Sequence, residues 1–223
     1  MKNKNTVDYG NWMPRKFLFI GATTGIGLIL GVVFIPVLWL RIIIGIIACF
    51  VLYMLFIAVR GYYYFSARGE NLQVKIYNLV VEHLDWDGSG TCLDIGCGHA
   101  PLSIAIAKKF PGAKIISSDY WGKSAFEYSE KQCRINAQLE KVEEQIEFVH
   151  ANAALLPFPD ESVDAIVSNL VFHEVADFKM KEKHKAFLEA VRVLKKGGVF
   201  SVQDVFETHT CYCMDPKFFP FHG

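Results

Sequence analysis

Two long stretches of the chain carry no charge at all. Residues 17–40 read FLFIGATTGIGLILGVVFIPVLWL, and after Arg41 residues 42–59 read IIIGIIACFVLYMLFIAV. As helices they extend about 36 Å and about 27 Å, each enough to cross a hydrocarbon core of roughly 30 Å. Their length and their pairing exclude a cleaved signal peptide. The pattern predicts a two-span hairpin over residues 17–60, with Pro36 breaking the first helix and the turn at Arg41; the alternatives are one long span or a re-entrant loop with both runs dipping into the bilayer. A cytoplasmic tail (1–16) precedes it and a juxtamembrane linker (61–70) follows.

Beyond residue 70 the periodicity changes. Leu72, Ile76, Leu79, Val80 and Leu84 form a helical stripe, and Asp85–Gly90 is a turn cluster. Strands are predicted at 91–95, 113–118, 146–150, 163–168 and 199–205. Helices lie between them: one from Pro101 to Phe110, stopped by Pro111-Gly112; one opened by a Ser124-x-x-Glu127 capping box and running to about Glu140; and one carrying Phe187, Leu188, Val191 and Leu194, ending at Lys195-Lys196-Gly197-Gly198. Alternation of this kind predicts an α/β domain over 71–206. It has a Rossmann-like parallel sheet, helices on both faces and a ligand at the carboxyl ends of the strands. Residues 207–223 read as an irregular tail.

The charge distribution separates the two parts. Residues 1–69 hold seven Lys or Arg against the single acid Asp8, although the whole chain is neutral. The globular part is therefore acidic, which excludes nucleic acid as its partner. Arg15 and Lys16 before the first apolar run and Arg60 and Arg68 after the second put both ends of the hairpin, and the domain, on the cytoplasmic side. Six scattered cysteines without a C-x-x-C pair fit a reducing compartment.

Candidate chemistry falls where an α/β sheet would place it. Strand one runs into Asp94-Ile95-Gly96-Cys97-Gly98, a strand entering a tight Gly-x-Gly turn before a helix, which brings backbone close to a nucleoside. Asp119 closes strand two, where a carboxylate accepts hydrogen bonds from both ribose hydroxyls. Tyr120 and Trp121 follow it, and Tyr120 is a candidate to pack on the adenine. Asn152 and Ala153 follow strand three, where the Asn152 amide can read an adenine edge. Asn169 follows strand four, then His173-Glu174.

These residues, with the run LLPFPDESVDAIVSN, resemble the class I S-adenosylmethionine-dependent methyltransferases, in particular the small-molecule branch that includes quinone-biosynthesis enzymes. The resemblance covers roughly residues 72–205. It implies S-adenosyl-L-methionine as cofactor, with Asp94, Gly96, Cys97 and Gly98 forming the turn at its methionine end. It further implies Asp119 on the ribose and Asn152 and Ala153 at the adenine; Asn169, after strand four, is a candidate to line the place of methyl transfer. Ala100 stands where a third glycine is common, and Asn152 where an acid is usual. The family continues past strand five with a helix and two more strands. Only a short tail follows here, so an impaired, cofactor-binding protein is the alternative to an active enzyme.

Methyl transfer is an in-line displacement that mainly requires alignment and exclusion of water. His173 is the candidate base for an acceptor that must lose a proton, and Glu174 either pairs with it or faces solvent. The anchor implies a small or lipid-like acceptor dissolved in the bilayer. GATTGIG (21–27) resembles a dehydrogenase turn, but it lies inside an apolar run and no Tyr-x-x-x-Lys pair exists. Its glycines read as small-residue spacing for helix approach. His209, Cys211, Cys213 and His222 lack the spacing of a zinc site, and no metal is expected.

Overall fold

The computed structural model describes residues 6–66, 68–122, 128–175 and 180–204. The predicted capping box at Ser124 and Glu127 and the whole 207–223 tail, with His209, Cys211, Cys213 and His222, lie outside them. The chain divides into two units, Asn11–Lys75 and Met1–Gly10 with Ile76–Gly223.

The first unit is built on helices α1 (Arg15–Phe34) and α2 (Leu38–Phe65), both long and apolar enough to cross a membrane. The turn between them is Ile35–Val37, not Arg41 as expected. Pro36 has no N–H for a helix and disfavours helical geometry at Ile35, so α1 stops before it. Arg41 sits one turn inside α2 and donates back to the carbonyls of Ile35 (2.5 Å) and Val33 (3.0 Å) at the end of α1. Added Cβ atoms on Gly21 and Gly25 would come within 3.1 Å of Leu55 and Leu52, so the small residues form the seam of the pair. Helix α2 continues to Phe65, through the first half of the expected linker. There Asn11 donates to the Tyr62 carbonyl (3.0 Å), and Trp12 packs on Phe65.

In the second unit, helix α3 (Leu72–Glu82) leads from the boundary into five strands. They are β1 (Thr91–Ile95), β2 (Lys114–Asp119), β3 (Ile146–His150), β4 (Val163–Asn169) and β5 (Leu194–Gln203). All pairings are parallel, in the order β3-β2-β1-β4-β5. The order reverses between β1 and β4, so a crevice opens outside their carboxyl ends. Alternate residues face opposite layers. Cys92, Ile115, Ala165 and Val167 pack with α3, α4 (Pro101–Lys109) and α5 (Glu130–Leu139), whereas Leu93, Ile95, Ile116 and Ile166 pack on the side of α6 (Met180–Val193).

Two boundaries differ from expectation. Helix α5 opens at Glu130, capped by the Ser129 side chain on the Gln132 N–H. Helix α6 ends at Val193, and Lys195–Gly198 is not its last turn. Leu194 already pairs with Val163 and the next pair is Ala165 with Val199, so these four residues bulge out of β5. Asp164 holds the bulge, accepting from Lys195 Nζ (2.7 Å) and from the Thr91 N–H that begins β1 (2.8 Å).

Residues 6–10, read as tail, belong to this unit. The wholly buried amide of Asn136 in α5 accepts from the Asp8 N–H (2.9 Å) and donates to the carbonyls of Asp8 (2.9 Å) and His99 (3.0 Å). The Tyr9 hydroxyl donates to Glu140. Asn136→Ala removes one hydrogen-bond partner from each of three backbone groups and is expected to lower unfolding stability by about 1–3 kcal/mol. Urea unfolding in detergent measures the loss. Hydrogen exchange at Asp8 should rise with it, and unchanged protection there would show that the strap is held by other contacts.

Candidate functional site

The site is built on the turn between β1 and α4. Gly96 adopts φ 75°, and its N–H and that of Cys97 both donate to the Ser118 carbonyl of β2 (2.8 and 3.0 Å). An added Cβ at Gly96 would lie 2.2 Å from a Val171 methyl, so no side chain fits there. One residue on, the Gly98 N–H donates to Asp119 Oδ2 at 2.8 Å. The Gly98 carbonyl accepts from Trp121 Nε1 (3.0 Å) and Cys133 Sγ (3.1 Å). Strand ends are level here: Ile95 pairs with Ser118 on one side and Ser168 on the other.

Burial pushes the Asp119 carboxyl up to about 6, against hydrogen bonds from Gly98 and Tyr120 N–H groups and the nearby His150, while Glu174 repels its charge. On the other side of the crevice Asn169 ends β4. It is 8% exposed, yet among the described residues neither amide atom has a hydrogen-bond partner. Buried polar groups are seldom left so, because each unmade bond costs about 1–3 kcal/mol. Leu170 follows in the left-handed region (φ 56°), its N–H donating to Gln203 (2.7 Å). The chain then reaches His173, whose Nδ1 lies 2.5 Å from Asp204 Oδ1.

Residues 93–202 match the family described as "Methyltransferase domain". A demethylmenaquinone methyltransferase of Clavibacter sepedonicus is 32% identical over 106 residues, 48% of this chain and 37% of that protein. A demethylmenaquinone methyltransferase of Geobacillus stearothermophilus is 31% identical over 112 residues, 48% of this chain and 42% of that one. The chain spans less than half the length of these relatives. The geranyl diphosphate C-methyltransferase of Streptomyces coelicolor, solved with S-adenosyl-L-homocysteine, shares the fold, with a TM-score of 0.50 and 21% identity over 61% of this chain and 45% of that chain. Over residues 93–202 the chain carries a methyltransferase domain with the class I S-adenosylmethionine-dependent fold.

Within this methyltransferase domain the candidate residues fall into two groups. Gly96, Gly98, Asp119 and Asn169 come together around the crevice. A ring of donors and acceptors with one buried amide unpaired fits a polar nucleoside such as S-adenosylmethionine. Tyr120 and Trp121 stand beside His150 at the ends of β2 and β3, ring centroids 5.1 and 6.2 Å from it, with Tyr120 44% exposed.

Three candidates turn elsewhere. Asp94 is wholly buried, and its carboxylate accepts from Ser103 Oγ of α4 (2.5 Å), which in turn accepts from Ser117 Oγ (2.6 Å). It ties the turn to the helix beneath it. Burial, with Asp119 nearby, pushes its carboxyl up to about 7 against the relief from Ser103. Cys97 faces the interior, where burial and the neighbouring Cys133 raise its thiol. Asn152 is exposed, and its amide oxygen accepts from the Ala154 N–H (2.9 Å), so the atom expected to meet adenine already closes a local turn with half-buried Ala153 inside it.

Two residues of the site escape a reading of the sequence. Asp204 was expected inside strand five, but β5 ends at Gln203 and leaves it at the strand end, with its side chain fully buried. Tyr128 packs against His99, ring centroids 4.9 Å apart, and stands over Gly98. Burial and the charges of Glu174 and Asp119 hold its hydroxyl in the neutral form. A tyrosine in a loop before a helix carries no spacing signal. Glu174, which pairs with His173 only at 3.9 Å, faces Asp119 and Tyr128 closely enough to affect both. Among the described residues no His, Cys, Asp and Glu cluster has the arrangement of a metal site.

Proposed function

We propose that the chain is a membrane-anchored enzyme that moves a methyl group from S-adenosylmethionine to a small lipophilic, quinone-like acceptor. The observation that carries this reading is the buried, unpaired amide of Asn169 across the crevice from Asp119. A donor–acceptor pair kept dry and unused is what a bound ligand at the point of transfer would complete. Asp119 would hold the ribose hydroxyls, the Gly96–Gly98 backbone the methionine end, and Tyr120 one side of the base. The domain's own task is then to align the acceptor with the methyl group and keep water out.

The acceptor class rests on two supports. Several relatives are demethylmenaquinone methyltransferases, whose named substrate is a quinone. Helices α1 and α2 leave large apolar side chains uncovered, among them Phe19, Phe34, Leu38 and Ile46, each at least two-thirds exposed. A core helix of a water-soluble protein buries such residues, whereas a bilayer covers them. The basic residues flanking the hairpin support a cytoplasmic domain.

The test uses the full chain in lipid nanodiscs. Calorimetric titration with S-adenosylhomocysteine is expected to show one site per chain, and tritium from labelled S-adenosylmethionine should appear in demethylmenaquinol added to the discs. Binding without label in that quinol or in any extracted lipid would replace the enzyme reading with a cofactor-binding one. Absence of binding by folded protein would remove both.

A further inference from the structure

The mechanism above uses alignment alone and leaves one group unexplained. Asp204, its side chain fully buried at the end of β5, meets His173 with both carboxylate oxygens. Oδ1 lies 2.5 Å from His173 Nδ1, and Oδ2 accepts from the His173 backbone N–H at 3.3 Å. An ionised carboxylate only accepts, so the shared proton resides on Nδ1 and the lone pair of the neutral ring on Nε2. The double hold fixes the turn and the ring rotamer together.

Nε2 makes no hydrogen bond among the described residues. Its nearest charged neighbour is Glu174 Oε1 at 3.9 Å, outside hydrogen-bond reach. Glu174 is in turn near enough to Asp119 and Tyr128 for its charge to raise both groups. Asn169 is four residues earlier in the chain and pairs in register with Gln203, the neighbour of Asp204. The unpaired amide and the oriented imidazole thus belong to one corner of the site. A residue that only capped a helix would need neither a buried carboxylate behind it nor an open nitrogen in front.

We propose that His173 is the proton acceptor of the transfer, that Asp204 positions it, and that the acceptor is therefore a hydroxyl-bearing aromatic methylated at oxygen. The proposal rests on the methyltransferase reading and narrows its substrate class. As the acceptor oxygen forms its bond to the methyl carbon, its proton passes to His173 Nε2. The electron pair of the breaking S–C bond stays on sulfur, which becomes a neutral thioether. The imidazolium returns its proton to water after release, so the net change is one proton lost by the acceptor.

The experiment compares wild type, His173→Gln and Asp204→Asn as full chains in nanodiscs. The acceptors are phenols and naphthols of graded acidity, from 1-naphthol to nitrophenols already ionised at the assay pH. For weakly acidic acceptors kcat is expected to fall on the order of 100-fold in His173→Gln and about 10-fold in Asp204→Asn, with S-adenosylhomocysteine affinity unchanged in both. For pre-ionised acceptors both deficits should shrink to within about threefold, since no proton then needs removing. A second readout is independent of turnover: in protein labelled with nitrogen-15 histidine, the downfield Nδ1 proton resonance of His173 should be present in wild type and absent from both variants. Equal losses across the acidity series would make the pair a structural brace and overturn the proposal. So would a wild type that binds S-adenosylhomocysteine but methylates no hydroxyl acceptor. A wild type that binds no S-adenosylhomocysteine is a different failure, because it removes the methyltransferase reading and the pair with it.

Discussion

Asp119→Ala is expected to weaken S-adenosylhomocysteine binding by at least about 100-fold. Two hydrogen bonds from ribose hydroxyls to a carboxylate are each worth about 1.5–3 kcal/mol, and tenfold in affinity corresponds to about 1.4 kcal/mol. The carboxylate also receives the Gly98 N–H, so its loss loosens the turn that faces the ligand. The pH dependence has a definite sign. Burial raises the Asp119 carboxyl to about 6, and only the ionised form accepts from both hydroxyls. Affinity of the wild type should therefore fall by up to about tenfold per pH unit below 6 and level off above it, whereas the alanine variant should be flat in this range. Calorimetry between pH 5 and pH 8 measures both, and an affinity within threefold of wild type would take the ribose contact away from Asp119.

The same raised carboxyls affect the fold in the opposite sense. Asp94 and Asp119 hold protons more tightly folded than unfolded, so their contribution to stability is fully present below the ordinary carboxylate range. It is lost as pH rises through about 6 to 7. Cofactor affinity and unliganded stability thus run against each other across this interval.

Gly96→Ala is expected to destabilise the domain by about 3–5 kcal/mol. The new Cβ would meet both Val171 methyls at 2.2 and 2.5 Å and the Val171 Cβ at 2.9 Å, from a backbone at φ 75° that L residues rarely adopt. Rotation of the valine cannot relieve a contact with its own Cβ. Gly112→Ala is the control, since nothing lies within 4 Å of its added Cβ, and it should be nearly neutral. Gly96→Ala with Val171→Ala should recover part of the loss, leaving the strain of the positive φ. Urea unfolding followed by tryptophan fluorescence reads all three, and a Gly96→Ala change under 1 kcal/mol would mean that the turn yields.

The five strands and the turn at Gly96 were legible because they are written in short-range pattern. Alternation at period two, helical stripes between strands and glycines at a strand end each follow from the geometry of a few adjacent residues. Helix and strand ends were less legible. The bulge at Lys195–Gly198 resembles a helix stop, but Leu194 is claimed by Val163 across the sheet. That pairing also moved Asp204 from a strand interior to a strand end.

Side-chain partners at long separation were not legible at all. Asp94 carries the glycine-turn signature, yet its carboxylate goes to Ser103 beneath the turn. Asn136 looks like one more polar residue on a helix, yet it is fully buried and clasps Asp8, 128 positions earlier. His173 could be picked from its place after strand four, but its partner is 31 residues away.

From the order of residues alone came the two apolar helices, the parallel α/β sheet and the strand ends that carry the candidate nucleoside-binding residues. These follow from local covalent geometry and from which stretches avoid water. Only the folded chain decided which polar groups at those ends are spent on the protein itself, as with Asp94 and Asn152. It alone also left Asn169 unpaired and closed His173 onto Asp204. Burial selects among hydrogen-bond partners, because a polar group removed from water must find whatever the packed neighbours offer. Those neighbours exist only once the sheet has brought distant strands side by side.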